Sequence, residues 1–305
     1  MAQGPPMRHE NPPLSKGGRR SSFSPFGKGG SKGVCPRLTA ERYFQRNSSN
    51  MKILRLEVPH WQQFDGLVHG FLGRVSGQDR SSNAAFRLSS DNGDDAEAVK
   101  SNWCELKMVL RLRDLDIITA TQVHGNAILQ VCSGTGKLAG IGDGLMTDAS
   151  SLCVGVMAAD CVPILFMEPT RKIAAAVHAG WRGTAAGIAA RTVASIEEVY
   201  GIDSNALHVA MGPSIGPCCY EVGPEVAAQI AANWREELRD AWRPDGVKGR
   251  LDLRALNEAQ LLGAGIPQMQ ISKIGPCTAC HIKDFYSYRK EGKSGHQLSF
   301  IGWRA

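Results

Sequence analysis

Residues 172–201 read KIAAAVHAGWRGTAAGIAARTVASIEEVYG, and the change of period within this stretch decides the fold class. Lys172 to His178 is a short aliphatic run of strand type, bounded by polar residues before it and by Gly180 after it. From Thr184 to Tyr200 the spacing becomes helical, with Thr184 as the expected N-cap, Ile188, Ile196 and Val199 on one face, and Gly201 as the stop. A strand that passes through a tight glycine turn into a helix is the unit of an α/β fold.

The same alternation extends in both directions. Ile53 to Val58, Ile117 to Thr121, Ala127 to Cys132, Leu152 to Met157, Ile164 to Met167 and Leu207 to Met211 read as further strands, and Ala96 to Leu112 and Pro224 to Trp234 as further helices. No internal repeat and no linker divides the body, so a single mixed α/β domain is expected over residues 51–305.

Residues 1–50 have another character. They hold nine Lys or Arg against Glu10 and Glu41, a balance of +7 that accounts for the chain's +6, while the body is near neutral at −1. With few aliphatic residues and the near-repeats Pro13 to Gly18 and Ser24 to Gly30, this tail lacks the apolar burial that offsets ordering entropy and is expected to be disordered. Met51 is a candidate for the true start. Basicity confined to such a tail argues against a nucleic-acid partner for the body. Arg19-Arg20 is not followed by an apolar run of export-signal type, and no stretch approaches the length of a membrane span. Nine scattered cysteines fit reduced thiols better than a secreted disulfide framework, so the expected location is cytoplasmic.

Three side chains stand where hydrophobic runs break into turns: His124 in TQVHG, Cys161 in AADCVP and His178 in VHAGWRGT. One thiolate and two imidazoles fill three corners of a tetrahedron and leave the fourth for a reactant, the open pattern of catalytic zinc. The intervals of 37 and 17 residues mean that the fold, not a local knuckle, must bring them together. The competing reading is two separately hydrogen-bonded histidines and a small buried cysteine.

The surrounding motifs bear on that choice. TQVHG at 121–125, GDGLMT at 142–147, ADCVPIL at 159–165, HAGWRGT at 178–184, GPSIGPCCYEVG at 212–223 and CTACH at 277–281 occur in an order that resembles the laccase-domain family, also called multicopper polyphenol oxidoreductase-like, over about residues 53–303. The resemblance implies a four-layer α/β/β/α sandwich. It also implies a zinc-dependent purine nucleoside phosphorylase with adenosine deaminase activity, with zinc on His124, Cys161 and His178 and with purine nucleosides and inorganic phosphate as partners. Arg74, in HGFLGR at 69–74, matches an arginine associated with phosphate in that family. Where the family usually shows an asparagine, this chain has Arg87, which puts substrate preference in question.

Arg182 and the backbone N–H groups of the Gly180 to Thr184 turn offer a second place for an anion, on the expectation of a helix N-terminus there. Asp143, Asp160 and Glu221 are the carboxylates nearest the motifs, as proton carriers or as partners of the imidazoles. Cys277-Thr-Ala-Cys280-His281 fits the haem-attachment pattern, but that chemistry belongs outside the cytoplasm, and Cys218 and Cys219 offer these thiols a structural zinc site or a redox role instead.

Three other functions compete. Cys161 can act as a nucleophile activated by His178 in a thiol hydrolase or deamidase, with no metal. A copper polyphenol oxidase is a weaker fit, because eight histidines with no His-x-His pair are few for a copper cluster. A metal-dependent binding module without turnover is the third.

Overall fold

The computed structural model describes residues 42–46, 52–76, 88, 96–292 and 295–305. Arg87 and most of the tail expected to be disordered lie outside the described residues. Strand β1 (Arg42–Arg46) lies inside that tail and pairs antiparallel with β2 (Lys52–Leu56), so the paired backbone crosses the boundary expected at residue 50.

Along the chain follow β3 (Leu67–Ser76), α1 (Ala96–Val109), β4 (Asp116–Thr121), β5 (Ile128–Gln130), β6 (Leu138–Ile141), β7 (Gly144–Thr147), β8 (Leu152–Ala158), β9 (Val162–Glu168) and β10 (Ile173–Ala179). After the turn come α2 (Trp181–Ala185), α3 (Ile188–Tyr200), β11 (His208–Met211), β12 (Glu221–Val222), α4 (Pro224–Ala231) and α5 (Arg235–Ala241). The remainder is β13 (Trp242–Asp245), β14 (Lys248–Leu251), α6 (Leu253–Gly263), β15 (Ile271–Lys273), α7 (Tyr288–Glu291) and β16 (Gln297–Trp303).

Two large sheets form, in the orders β1-β2-β3-β16-β8-β4-β6 and β15-β11-β9-β10-β7-β5, with a small third sheet β12-β14-β13. Side-chain alternation explains how they stack. In β9 and β10, Val162, Ile164, Phe166, Ile173, Ala175 and Val177 join the core under α3, with Ile188, Val193 and Ile196. The intervening Leu165, Met167, Ala174 and Ala176 meet Val154, Val156, Ile301 and Trp303 of the seven-stranded sheet. That sheet's other face, through Ile53, Leu72, Leu298 and Phe300, packs on Leu106, Val109 and Leu110 in and just after α1. The layers are therefore helix, sheet, sheet, helix, as the resemblance implied. Both central strands are buried along their whole length, which is why they read as continuous apolar runs rather than alternating ones. Each fully buried Leu, Ile, Val or Phe there contributes about 1.5–3 kcal/mol.

The expected helix from Thr184 to Tyr200 is in fact two. Gly187 takes a left-handed φ of 75°, and an added Cβ would stand 3.0 Å from the Trp234 ring, so the chain turns there and α3 starts afresh. Thr184 is not an N-cap. It is fully buried, its hydroxyl accepts from Asn257 Nδ2 at 3.0 Å, and its carbonyl accepts from Gln260 Nε2 at 2.7 Å, which fastens α2 to α6. Val199, expected on the core face, is 43% exposed, and Tyr200 takes the buried place at that end. Gly201 ends α3 as expected, at φ 64°.

Candidate metal centre

The antiparallel pairing of β9 with β10 sets Ala179 opposite Val162, so the next residues outward, Cys161 and Gly180, face each other at the strand ends. His178 lies on β10 in alternation with Ala174 and Ala176, toward the other sheet. The third side chain comes from that other sheet: β4 ends at Thr121, and His124 follows in a loop at φ 61°. The donor atoms of His124, Cys161 and His178 all lie within 4.8 Å of one another, and the two imidazole rings are 4.8 Å apart at 78°. Gly180 makes this approach possible, since a Cβ there would stand 2.9 Å from His124 Cδ2 and 3.0 Å from Cys161 Sγ. His178 is buried, Cys161 half-buried and His124 exposed, so the cluster opens to solvent on the His124 side.

Asp143, completely buried just before β7, holds the His178 imidazole and the backbone that carries His124. Its Oδ1 accepts from His178 Nδ1 at 2.8 Å and from the His124 amide at 2.9 Å; its Oδ2 accepts from the amides of Val123 at 3.1 Å and Gly125 at 2.7 Å. Burial opposes ionisation, yet the bonds from His178, Gly125 and Val123 outweigh it and hold the carboxyl below its ordinary range. An ionised carboxylate only accepts, so His178 carries its proton on Nδ1 and presents Nε2 to the cluster. The same three amides stabilise the left-handed turn that His124 requires.

Burial pushes the Cys161 thiol up, but His178 and a hydrogen bond from His124 more than offset this and bring it down to about 6. Burial likewise disfavours charge on His178, while Cys161 and Asp143 raise it to about 9. A lowered thiol beside a raised imidazole is also what a nucleophilic cysteine needs.

Asp160, the residue before Cys161, has φ 93° and is buried. Its carboxylate accepts from Thr278 Oγ1 at 2.6 Å, Ser287 Oγ at 3.0 Å and the Arg289 amide at 2.7 Å, and its carbonyl from the Ile215 amide at 2.9 Å. It fixes the backbone that aims Cys161 and has no bond to an imidazole. Glu221 is also not a partner of the imidazoles: it is at the surface, paired with Lys248 at 3.0 Å and Arg250 at 3.6 Å.

The two arginines differ. Arg74 donates to both oxygens of Glu291, at 2.7 and 2.6 Å, and its guanidinium lies 4.2 Å from the Tyr286 ring centre. Arg182 is exposed, stacks on Trp181 at 4.4 Å, and has no carboxylate partner among the described residues. The helix behind it, α2, has only five residues, so the dipole expected from a long helix at this turn is not there. Sequence reasoning missed Tyr220, whose hydroxyl burial and the charge of Cys161 keep protonated, and the Thr278 and Ser287 cradle. Thr278 and Ser287 lie over 100 residues from Asp160 in the chain, and no spacing signal links them to it.

An ion with metal–nitrogen bonds near 2.1 Å and metal–sulfur near 2.3 Å needs donors about 3.5 Å apart; the three donors here all lie within 4.8 Å of one another. Residues 68–304 match the family model described as multi-copper polyphenol oxidoreductase laccase. The chain belongs to that family. Among its relatives, the purine nucleoside phosphorylase YlmD of Geobacillus stearothermophilus is 34% identical over 252 residues, 79% of this chain and 92% of that protein. The adenosine deaminase RL5 of an unknown prokaryotic organism is 33% identical over 242 residues, 75% of this chain and 90% of that one. The crystal structure of YlmD from Geobacillus stearothermophilus superposes with a TM-score of 0.76, covering 87% of this chain and all of that one.

Proposed function

We propose that this member of the family is a zinc-dependent purine nucleoside phosphorylase that also deaminates adenosine. The observation that carries the reading is the meeting of His124, Cys161 and His178 within 4.8 Å at an open edge of the sandwich, with Asp143 behind. The names of the relatives, phosphorylases and one deaminase, supply the substrate class. Three protein donors with an open fourth position fit a single zinc ion, and they are too few for a cluster of several coppers.

His124, Cys161 and His178 would hold the zinc ion, which when bound would supply a Lewis acid. The chain's own residues do the rest. Asp143 keeps His178 in the ligating tautomer. Arg182, without an ion-pair partner among the described residues, takes phosphate oxygens through its planar donors. Arg74 takes part only by exchanging Glu291 for phosphate. Tyr220 keeps its hydroxyl protonated through burial and the charge of Cys161. We place the enzyme in the cytoplasm, where its thiols stay reduced.

Purified protein, replete with zinc, is to be incubated with adenosine, inosine and methylthioadenosine with and without phosphate. Phosphate-dependent release of base, and inosine from adenosine, are expected; a folded, zinc-loaded sample that turns over none of the three refutes the assignment.

A second reading rests on the lowered Cys161 thiol next to His178 and Asp143, the arrangement of a thiol hydrolase or deamidase. Metal analysis separates the two. A zinc equivalent lost on Cys161→Ala marks a ligand, whereas a metal-free active enzyme inactivated by alkylation at Cys161 marks a nucleophile.

A further inference from the structure

We propose that Cys218, Cys219, Cys277 and Cys280 form a second metal centre, a closed tetrathiolate site for a single zinc ion that clamps the loop after β11 to the turn before α7. It shares no residue with the His124 cluster.

The four sulfurs all lie within 4.8 Å of one another. Cys280 Sγ is 3.5 Å from Cys218 Sγ and 3.4 Å from Cys219 Sγ, so it has no unique partner of the kind a disulfide selects. Four thiolates around one tetrahedral ion, at about 2.3 Å from it, stand about 3.8 Å apart. The observed spacing is close to that, and it leaves no room between the sulfurs for a cluster of several irons.

The local chain is built for such an ion. Cys277 and Cys280 are separated by two residues across the short 3-10 turn Thr278–Cys280, the spacing zinc sites use. The Gly216 amide donates to Cys277 Sγ at 3.2 Å, a bond that favours the thiolate. An added Cβ at Gly216 would lie 3.3 Å from Cys277 Cβ and 3.4 Å from Cys218 Sγ, so the backbone at Gly216 packs directly against the sulfurs. Cys277 is buried, while Cys218 and Cys280 are exposed and give an ion its way in. Four sulfurs fill a tetrahedron, which makes the centre structural.

Its position says what it holds. Thr278, between two of the ligands, donates to the Asp160 carboxylate, and Ile215 donates to the Asp160 carbonyl. Ser214 and Cys277 form a β-bridge, and the Thr278 amide donates to the Ser214 carbonyl at 3.1 Å. Tightening the four sulfurs therefore fixes the segment that keeps Asp160 at φ 93° and Cys161 aimed at the two histidines.

The test uses the full chain, purified under reducing conditions, with metal per chain measured by inductively coupled plasma and native mass spectrometry. Cys161→Ala is expected to retain one equivalent of zinc, and Cys161→Ala with Cys218→Ser and Cys280→Ser to retain none. Cobalt(II) titrated into Cys161→Ala should give the intense tetrahedral ligand-field and sulfur-to-cobalt charge-transfer bands of a tetrathiolate; this reading needs no serine variant to fold. Metal-free Cys161→Ala that takes up no cobalt into a thiolate site overturns the proposal. So does a mass two hydrogens lower per cysteine pair, with no metal bound, in a parallel preparation purified without reductant. Because each arm is read by metal content in the absence of Cys161, failure here leaves the nucleoside assignment to its own assay.

Discussion

Asp143→Asn puts the design of the histidine pair to its most direct test. The carboxylate takes four donors, two on each oxygen, in a site with no water access. Replacing one oxygen by an amide nitrogen sets two of those donors against N–H groups, whichever way the side chain turns. Each charge-assisted bond is worth about 1.5–3 kcal/mol, so the loss is about 3–6 kcal/mol, a large share of the 5–15 kcal/mol that holds a domain together. With its oxygen toward Oδ1's place the variant still accepts from His178, but without the charge that orders the imidazole. Metal affinity should then fall by about 10–100-fold. Urea unfolding followed by circular dichroism gives the first quantity, and zinc competition with a chromogenic chelator on the folded protein gives the second. A variant within about 1 kcal/mol of the parent, and with unchanged zinc affinity, would refute the role assigned to Asp143.

Three other perturbations probe separate parts of the structure. Gly180→Ala keeps an allowed backbone, φ −72°, but drives a methyl into His124 and Cys161; zinc retained after dialysis should fall at least about tenfold, or about 1.4 kcal/mol, with unfolding little changed, and full zinc retention counts against the geometry. His69 is buried and accepts the Val58 amide at Nε2, 2.9 Å, and burial, with Arg55 and His60 nearby, lowers its pKa from 6.5 to about 3. Its folded-state pKa lies below the unfolded one, so the unfolded chain binds the extra proton; stability is complete above about pH 6.5 and is lost as pH falls toward 3, by about 2.7 kcal/mol two units below 6.5. Urea midpoints across that range should fall less steeply in His69→Gln, and parallel slopes would exclude His69 as the source. Thr184→Val leaves one Asn257 N–H buried without its acceptor, and a loss of about 1–3 kcal/mol is expected by thermal unfolding; an unchanged midpoint would show that the bond contributes nothing.

What the sequence made legible follows from how local each signal is. β8, β9 and β10 are buried on both faces, so their aliphatic runs stand out and their bounds fall within two residues of expectation. The histidines and Cys161 were visible because turns at strand ends are where a fold can present a side chain. By contrast β16, buried throughout, carries Gln297, Ser299 and Gly302 and shows no apolar run; its polar groups are tolerated because partners such as the Tyr286 amide, bound to Gln297, come from elsewhere in the chain. At the break of the expected long helix Gly187 turns left-handed, and the Ala185 carbonyl before it accepts from Asn233 and Trp234, contacts between distant residues. Asp143 was recognised as a neighbour of the motifs, but its bonds to three consecutive amides are a property of the folded loop. Arg74 and Glu221 looked available because sequence shows charge and hides the ion pair that occupies it.

The His124 cluster straddles a seam. His124 hangs from the end of a strand in one sheet, His178 and Cys161 from strands in the other, and Asp143 is the stitch between them. Any sideways slip of one layer over its neighbour separates the nitrogens before it disturbs the greasy contacts further in, so the centre works as a caliper on the sandwich. Occupancy by an ion should in turn lock the layers at that end, and slow amide exchange there should track metal content even where no residue touches the ion.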